Sequence, residues 1–257
     1  MKITVLGCGA STGVPAIGPD WGRCDPGDPR NRRRRCSLLV ESGGRTLLID
    51  TAPDLREQLI DAGVTRIDAI LLTHAHADHL HGLDDIRVVN RLMQRPIPVH
   101  GDPDTLAELA QRFAYAVRPP GPNPNFYRPT LTQHEIAAPF LAAGLPVVPF
   151  RQGHGFIMTL GFRIGAFAYS TDVVELDQAA FAALAGVDVW IVDCLRRESH
   201  PTHSHLEKTL SWIGRVRPRR AILTHMDQSL DYRELAAELP PGVEPGYDGL
   251  AIEVADP

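Results

Sequence analysis

The sequence predicts an α/β fold, and its element order fits a four-layer αββα sandwich: two mixed β-sheets face to face, with helices on both outer sides. Three observations carry this reading. Short apolar runs rich in β-branched residues alternate with helical patterns in both halves of the chain. Histidine or aspartate recurs at or just beyond the carboxyl ends of several of these runs. The chain has 257 residues, 44% of them hydrophobic, enough to bury a core as one domain or as two closely joined halves.

The elements follow in order. β-rich runs at Lys2–Leu6, Ser37–Ser42 and Arg45–Asp50 open the chain, and Gly43-Gly44 marks the turn between the last two. Between the first two runs lies a long loop rich in Gly, Pro and Arg. Loops of this length in compact domains are functional or disordered. Pro53 opens a helix to Ala62, Gly63 stops it, and a buried strand follows at 69–73. Next come a helix at 84–94, a strand at 97–100 and a helix at 103–117. The segment 118–130 holds five prolines and reads as a lid, a substrate-facing loop or a seam between halves. The second half gives strands at 145–150, 156–164 and 166–170, a helix at 176–185 and a buried strand at 187–193. A helix at 204–215, a strand at 220–224, a helix at 231–239 and a strand at 250–254 complete the chain.

Composition removes several classes of function. The net charge of −5 argues against an extended nucleic-acid surface, though it leaves room for a local phosphate pocket. No run of 18 apolar residues is present, so no membrane span is expected. The opening MKITVLGCGAS reads as strand and turn rather than as a secretion signal. Cys8, Cys24, Cys36 and Cys194 are far apart and form no C-x-x-C pair, so neither a disulfide framework nor a zinc knuckle is indicated. A cytoplasmic location is the expectation.

The stretch LLTHAHADHLHG (71–82) carries the chemistry. His74 and His76 are two apart on a chain leaving a strand, so extended geometry sends both imidazoles to one side. Asp78 and His79 follow the turn and can face a second point nearby. His154, Asp172 and His225 each come after a predicted strand. Imidazole and carboxylate together suit zinc, manganese or iron, and a carboxylate can bridge two cations. The seven side chains divide accordingly: His74, His76 and His154 for one ion, Asp78, His79 and His225 for another, Asp172 between them. Metal-prone groups this crowded are costly to bury without a cation. Isolated histidines are more often core or loop residues, the reading given to His100 and His134, and His81 is assigned to the following turn.

The stretch THAHADHLHG (73–82) resembles the T-H-x-H-x-D-H-x-x-G signature of the metallo-β-lactamase superfamily, and YSTD (169–172) and LTH (223–225) resemble its later ligand motifs. The resemblance covers nearly the whole chain. It implies the αββα fold as a single domain over 1–257, with two divalent metal ions as cofactors. Histidine at position 76 resembles the hydrolytic members, since the oxygen-reducing diiron branch has glutamate there. Further stretches resemble the phosphodiesterase branch that contains phosphoribosyl 1,2-cyclic phosphate phosphodiesterase: LGCGASTGVPAIG (6–18), RRRRCSLLV (32–40), VDC (192–194), THSHL (202–206) and PGYDGLAIEV (245–254).

In that branch a histidine at the position of His203 is the general acid. The branch also carries a cysteine-rich structural zinc site in its first long loop. Here only Cys24 remains, and Gln228 stands where a completing histidine belongs, so no structural zinc is expected. Two divalent ions would activate a shared water for attack on phosphorus, with Asp78 in the catalytic set and His203 protonating the leaving alkoxide. His200 and His205 are weaker candidates for the acid. Arg32 to Arg35 read either as a clamp for a second substrate phosphate or as a solvated basic loop. The expected function is a metal-dependent phosphodiesterase acting on a small phosphodiester, such as a phosphoribosyl cyclic phosphate or a cyclic nucleotide. A homodimer is compatible with this reading, and no membrane partner is expected. The alternatives are a tRNA 3′-processing endonuclease, which would need a basic arm, and a non-catalytic metal-binding regulator.

Overall fold

The computed structural model of the protein describes residues 1–122 and 125–257. Its first half contains β1 (Lys2–Gly7), β2 (Ser37–Ser42), β3 (Arg45–Ile49), α1 (Leu55–Asp61), β4 (Ala69–Leu71), α2 (Ala77–Leu80), α3 (Ile86–Met93), β5 (Ile97–Gly101), α4 (Pro103–Arg112) and β6 (Leu131–Glu135). The second half contains β7 (Phe140–Ala142), β8 (Leu145–His154), β9 (Ile157–Ile164), β10 (Phe167–Ser170), α5 (Gln178–Leu184), β11 (Val189–Asp193), α6 (Leu206–Val216), β12 (Arg220–Thr224), α7 (Tyr232–Glu238), β13 (Val243–Pro245) and β14 (Ala251–Glu253).

Two seven-stranded sheets result, ordered β14-β1-β2-β3-β4-β5-β6 and β13-β12-β11-β10-β9-β8-β7. Each half forms one sheet, except that the last strand returns to pair with β1. Both sheets pass from antiparallel to parallel pairing midway, at β3–β4 in one and β10–β11 in the other. The parallel strands of each sheet therefore present their carboxyl ends on one side, where loops carry functional groups.

Residue alternation explains the layers. Leu38, Val40, Leu47, Ile49, Ala69 and Leu71 join a core that includes Phe162, Ile164 and Phe167 of the second sheet. Their neighbours Leu39, Leu48, Ile70 and Leu72 face the opposite way, against Leu55, Leu59, Ile86, Val89 and Leu109 of α1, α3 and α4. Successive strand side chains point to opposite faces, so a strand covered on both sides reads as an unbroken apolar run. On the far side of the second sheet, α5, α6 and α7 contribute Leu184, Trp212 and Leu235. The αββα arrangement expected from the sequence is the one observed.

Some boundaries differ. The helix expected at 103–117 ends at Arg112, where Phe113 leaves helical geometry with φ −123° and ψ 44°. Strands β6, β7 and β13 were not expected. In β6, LTQHE, only Leu131 is buried, because an edge strand needs little apolar surface. β7 and β13 are three-residue edge strands, and β13 contains Pro245. Helix α2, four residues long, also escaped the sequence reading. The proline-rich stretch 118–130 includes residues 123 and 124, which lie outside the described residues, and its described part forms no helix or strand before Leu131. Among the described residues no helix is long and apolar enough to cross a membrane.

Side chains fasten the long loop between β1 and β2. Arg33 is 1% exposed and donates to the carbonyls of Leu230 (2.6 Å) and Asp227 (3.0 Å). Asn31 Nδ2 donates to Asp231 Oδ2 at 2.6 Å, and the same carboxylate accepts the Asp25 amide at 3.0 Å. The Cys24 thiol donates to Leu230 O at 3.5 Å and accepts from Arg33 Nη1 at 3.9 Å. Gly22, at φ +52°, lets the loop press onto Gln228: a Cβ there would sit 2.7 Å from the Gln228 carbonyl oxygen. The basic run is likewise engaged. Arg34 pairs with Asp61 and Asp248, and Arg35 with Asp54. Of these four arginines, Arg33, Arg34 and Arg35 make contacts that fasten the fold, and Arg32 lies over the Trp21 ring at 5.4 Å.

Candidate metal centre

The expected side chains come from successive strand ends. Beyond β4 the chain runs through Thr73 and His74 to His76, which is the N-cap of α2, and the short helix then presents Asp78 and His79. β8 ends on His154, Asp172 stands two residues past β10, and His225 one residue past β12. Asp172 and His225 have left-handed backbones, φ 53° and 59°. Asp50, just past β3, is a third such residue at 62°. This region costs a non-glycine residue about 1–2 kcal/mol, so the surrounding structure holds each of them there.

The seven side chains meet in two groups that share one carboxylate. His74, His76, His154 and Asp172 offer ligand atoms within 4.8 Å of one another, as do Asp78, His79, Asp172 and His225. Asp172 Oδ1 lies 3.8 Å from both His74 Nε2 and His154 Nε2. Its Oδ2 lies 3.0 Å from His79 Nε2 and 3.5 Å from His225 Nε2. One oxygen therefore faces each group. Asp78 Oδ2 is 3.4 Å from His79 Nε2 and 3.6 Å from His225 Nε2.

These groups fit cations. His74 Nε2, His79 Nε2 and both ring nitrogens of His225 are buried without a hydrogen-bond partner among the described residues. Unpartnered buried polar atoms are costly. Burial would raise Asp172, but His225, His79 and His74 outweigh it and hold this carboxyl well below its ordinary range. Burial would lower His79, yet Asp172, Asp78 and Asp50 lift it well above. His225 is lifted to about 9, against its burial, by Asp172 and Asp78. Protons on these imidazoles supply the positive charge that the carboxylates demand, and divalent ions would displace them. His74 is held low by burial first and then by His79, which leaves a neutral imidazole suited to ligation.

A supporting layer was not read from the sequence. Asp50 is fully buried, and its Oδ2 lies 2.8 Å from His79 Nδ1. It also accepts the Thr73 amide and hydroxyl, both at 2.8 Å, while Thr73 Oγ1 contacts His74 Nδ1 at 3.0 Å. His154 Nδ1 donates to the Thr202 carbonyl at 2.7 Å. Such partners fix ring orientation and leave the other nitrogen free for a metal. The one available signal was position: Asp50, like the expected ligands, stands just past a strand end.

His203 enters the site from the loop before α6. Its Nδ1 lies 3.1 Å from Asp193 Oδ2 and its Nε2 3.9 Å from Asp172 Oδ1. The ring centroid is 4.6 Å from those of His154 and His225. His203, His225 and Asp193 make a third group with the spacing of metal ligands. A cavity of about 220 Å³ opens here, lined by Ser11, His76, Asp78, Phe156, Thr202 and His203 among others. The remaining histidines are elsewhere or peripheral. His100 and His134 stack on each other 5.0 Å apart, His81 packs edge-on to Phe113, and His205 occupies the N-cap of α6 without a side-chain cap bond. His200 is 5.2 Å from His203, ring to ring.

A two-sheet sandwich with these clusters at its strand ends defines the metallo-β-lactamase type of fold, which implies divalent metal ions. The family model described as the β-lactamase superfamily domain matches residues 45–226, and the chain belongs to that superfamily. Among solved structures it is similar to a diphosphatase of the PhnP family, with 34% identity, a TM-score of 0.91 and coverage of 99% of this chain and 98% of that one. It is 35% identical over 255 residues to an octanoyltransferase of Porphyromonas gingivalis, covering 97% of this chain and 51% of that protein. A ribonuclease Z of Bradyrhizobium sp. is 38% identical over 90 residues, 34% of this chain and 30% of that protein. The chain thus spans about half of the first of these two proteins and under a third of the second.

Proposed function

We propose that the protein is a metal-dependent phosphodiesterase that cleaves a small, cyclic phosphodiester such as a phosphoribosyl cyclic phosphate or a cyclic nucleotide. Residues 1–257 act as one domain in this reading. The observation that carries it is the position of Asp172, one carboxylate oxygen toward each ligand group, with His203 beside it and held by a different carboxylate. His74, His76 and His154 would hold one ion, Asp78, His79 and His225 the other, and Asp172 both. The imidazole and carboxylate donors suit zinc or manganese, and iron is compatible.

Bound ions supply Lewis acidity and an activated water. The chain's own groups do the rest. Asp50 and Thr73 lock His79 and His74. Asp193 engages His203 Nδ1, so Nε2 faces the cavity, where it can hand a proton to the leaving alkoxide. The small cavity and the likeness to a PhnP-family diphosphatase favour a small phosphorus ester. The four free, buried cysteines suit a reducing cytoplasm.

Cleavage of a tRNA precursor is the second reading, supported by the similarity to ribonuclease Z. The net charge of −5 favours the small substrate, since folded RNA is held by basic surface. The test is a screen of cyclic ribose phosphates, cyclic nucleotides and a tRNA precursor with Mn²⁺ or Zn²⁺. Turnover of the precursor alone would overturn the proposal.

A further inference from the structure

We infer that Phe156 is a stacking platform at the mouth of the site and gives it a preference for diesters that carry a nucleobase. This rests on the phosphodiesterase reading and narrows its substrate class. Phe156 is 95% exposed, the most exposed aromatic side chain among the large hydrophobics at the surface of the described residues. It nevertheless lines the same cavity as His76, Asp78 and His203. Ile157, 40% exposed, lines that cavity beside it. An apolar ring left in water beside the histidines and aspartates of the site offers its face to a flat apolar partner.

The geometry makes the platform firm. His154 pairs with Ile157 across β8 and β9, so Gly155 and Phe156 form a two-residue hairpin turn. Gly155 has φ +67° while Phe156 has an ordinary φ, the pattern of a turn whose first central residue must be glycine. A Cβ on Gly155 would stand 2.5 Å from Thr202 Cγ2 and 3.3 Å from the Pro201 carbonyl oxygen. The turn is thus pressed onto the segment whose Thr202 carbonyl receives His154 Nδ1 at 2.7 Å. On the other side Gly153 bonds to Glu175 O at 2.9 Å. Phe156 is carried on a hairpin whose root is itself part of the metal centre, so a ring stacked on it would lie at a set distance from the phosphate.

The experiment compares 2′,3′-cyclic adenosine monophosphate with a ribose cyclic phosphate that lacks a base, using the metal-loaded protein and its Phe156→Ala and Phe156→Trp variants. Alanine should raise KM for the adenosine diester roughly 5- to 150-fold, the range of one base–aromatic stack, and leave kcat and the base-free KM within about twofold. Tryptophan should retain the adenosine KM, and its fluorescence should be quenched by adenosine 5′-monophosphate beyond that of the wild type. Equal losses on both diesters, or no added quenching, would overturn the inference. If the wild type cleaves neither diester, the functional reading fails, while the quenching still decides whether Phe156 takes a base.

Discussion

His203 Nδ1 and Asp193 Oδ2 stand 3.1 Å apart, and that same oxygen accepts the backbone amide of Val173 at 2.9 Å. Val173 directly follows Asp172. One buried carboxylate therefore positions both the proposed acid and the residue shared by the two ligand groups. His203→Ala should lower turnover roughly 10²–10⁴-fold for a diester with an alkoxide leaving group, and far less for bis-p-nitrophenyl phosphate, whose phenolate leaves without a proton. Metal content should not change. Equal losses on both substrates would assign His203 to binding rather than to proton transfer.

Protein purified without chelators should approach two metal ions per chain by elemental analysis. Asp172→Ala removes the oxygen facing each group, so both occupancy and activity should drop. A reproducible single ion in the wild type, unaffected by this substitution, would refute the shared carboxylate.

Asp50 touches no substrate in this arrangement but holds His79 and Thr73. Asp50→Ala should weaken metal affinity roughly 10- to 100-fold, the usual cost of losing a partner behind a ligand. Competition with a chelator measures it. Unaltered affinity would leave Asp50 a purely structural residue.

In the first long loop, Arg33→Ala strands the Leu230 and Asp227 carbonyls and should destabilise the fold by about 2–4 kcal/mol in denaturant unfolding. Cys24→Ser should leave metal content as it was. A tightly bound further zinc that this serine removes would show that the loop has a metal staple after all.

Asp28 gives a pH prediction. Hydrogen bonds from Arg30, assisted by the Arg233 charge, hold its carboxyl down to about 2 in the folded protein, below the 3.8 of the free side chain. A depressed carboxyl contributes stability that is full above its unfolded pKa and is lost as pH falls through the folded one. Stability should therefore decline between about pH 4 and pH 2, and Asp28→Asn should flatten that part of the melting-temperature profile. An unchanged profile would mean that other carboxyls govern the acid limb.

The sequence by itself determined the layers and the seven gathered side chains. Strands covered on both faces must be apolar throughout, which made runs such as AILLT visible, and histidines crowded past a strand end have no cheap use in a core. It did not reveal edge strands such as β6, which need so little burial that LTQHE looks like loop. Only the tertiary structure decided what stands behind the site. Asp50 and Asp193 are single acidic residues at strand ends, ordinary in composition, and they acquire roles because β3 lies beside β4 and β11 beside β10. The arginine run shows the same limit in reverse. Four adjacent cations suggest either a phosphate clamp or a solvated loop in the sequence, but Asp54, Asp61 and Asp248, distant along the chain, fold up against Arg34 and Arg35, and Arg33 goes to the Leu230 and Asp227 carbonyls. Which charge neutralises which is set by long-range packing, and a linear pattern does not contain it.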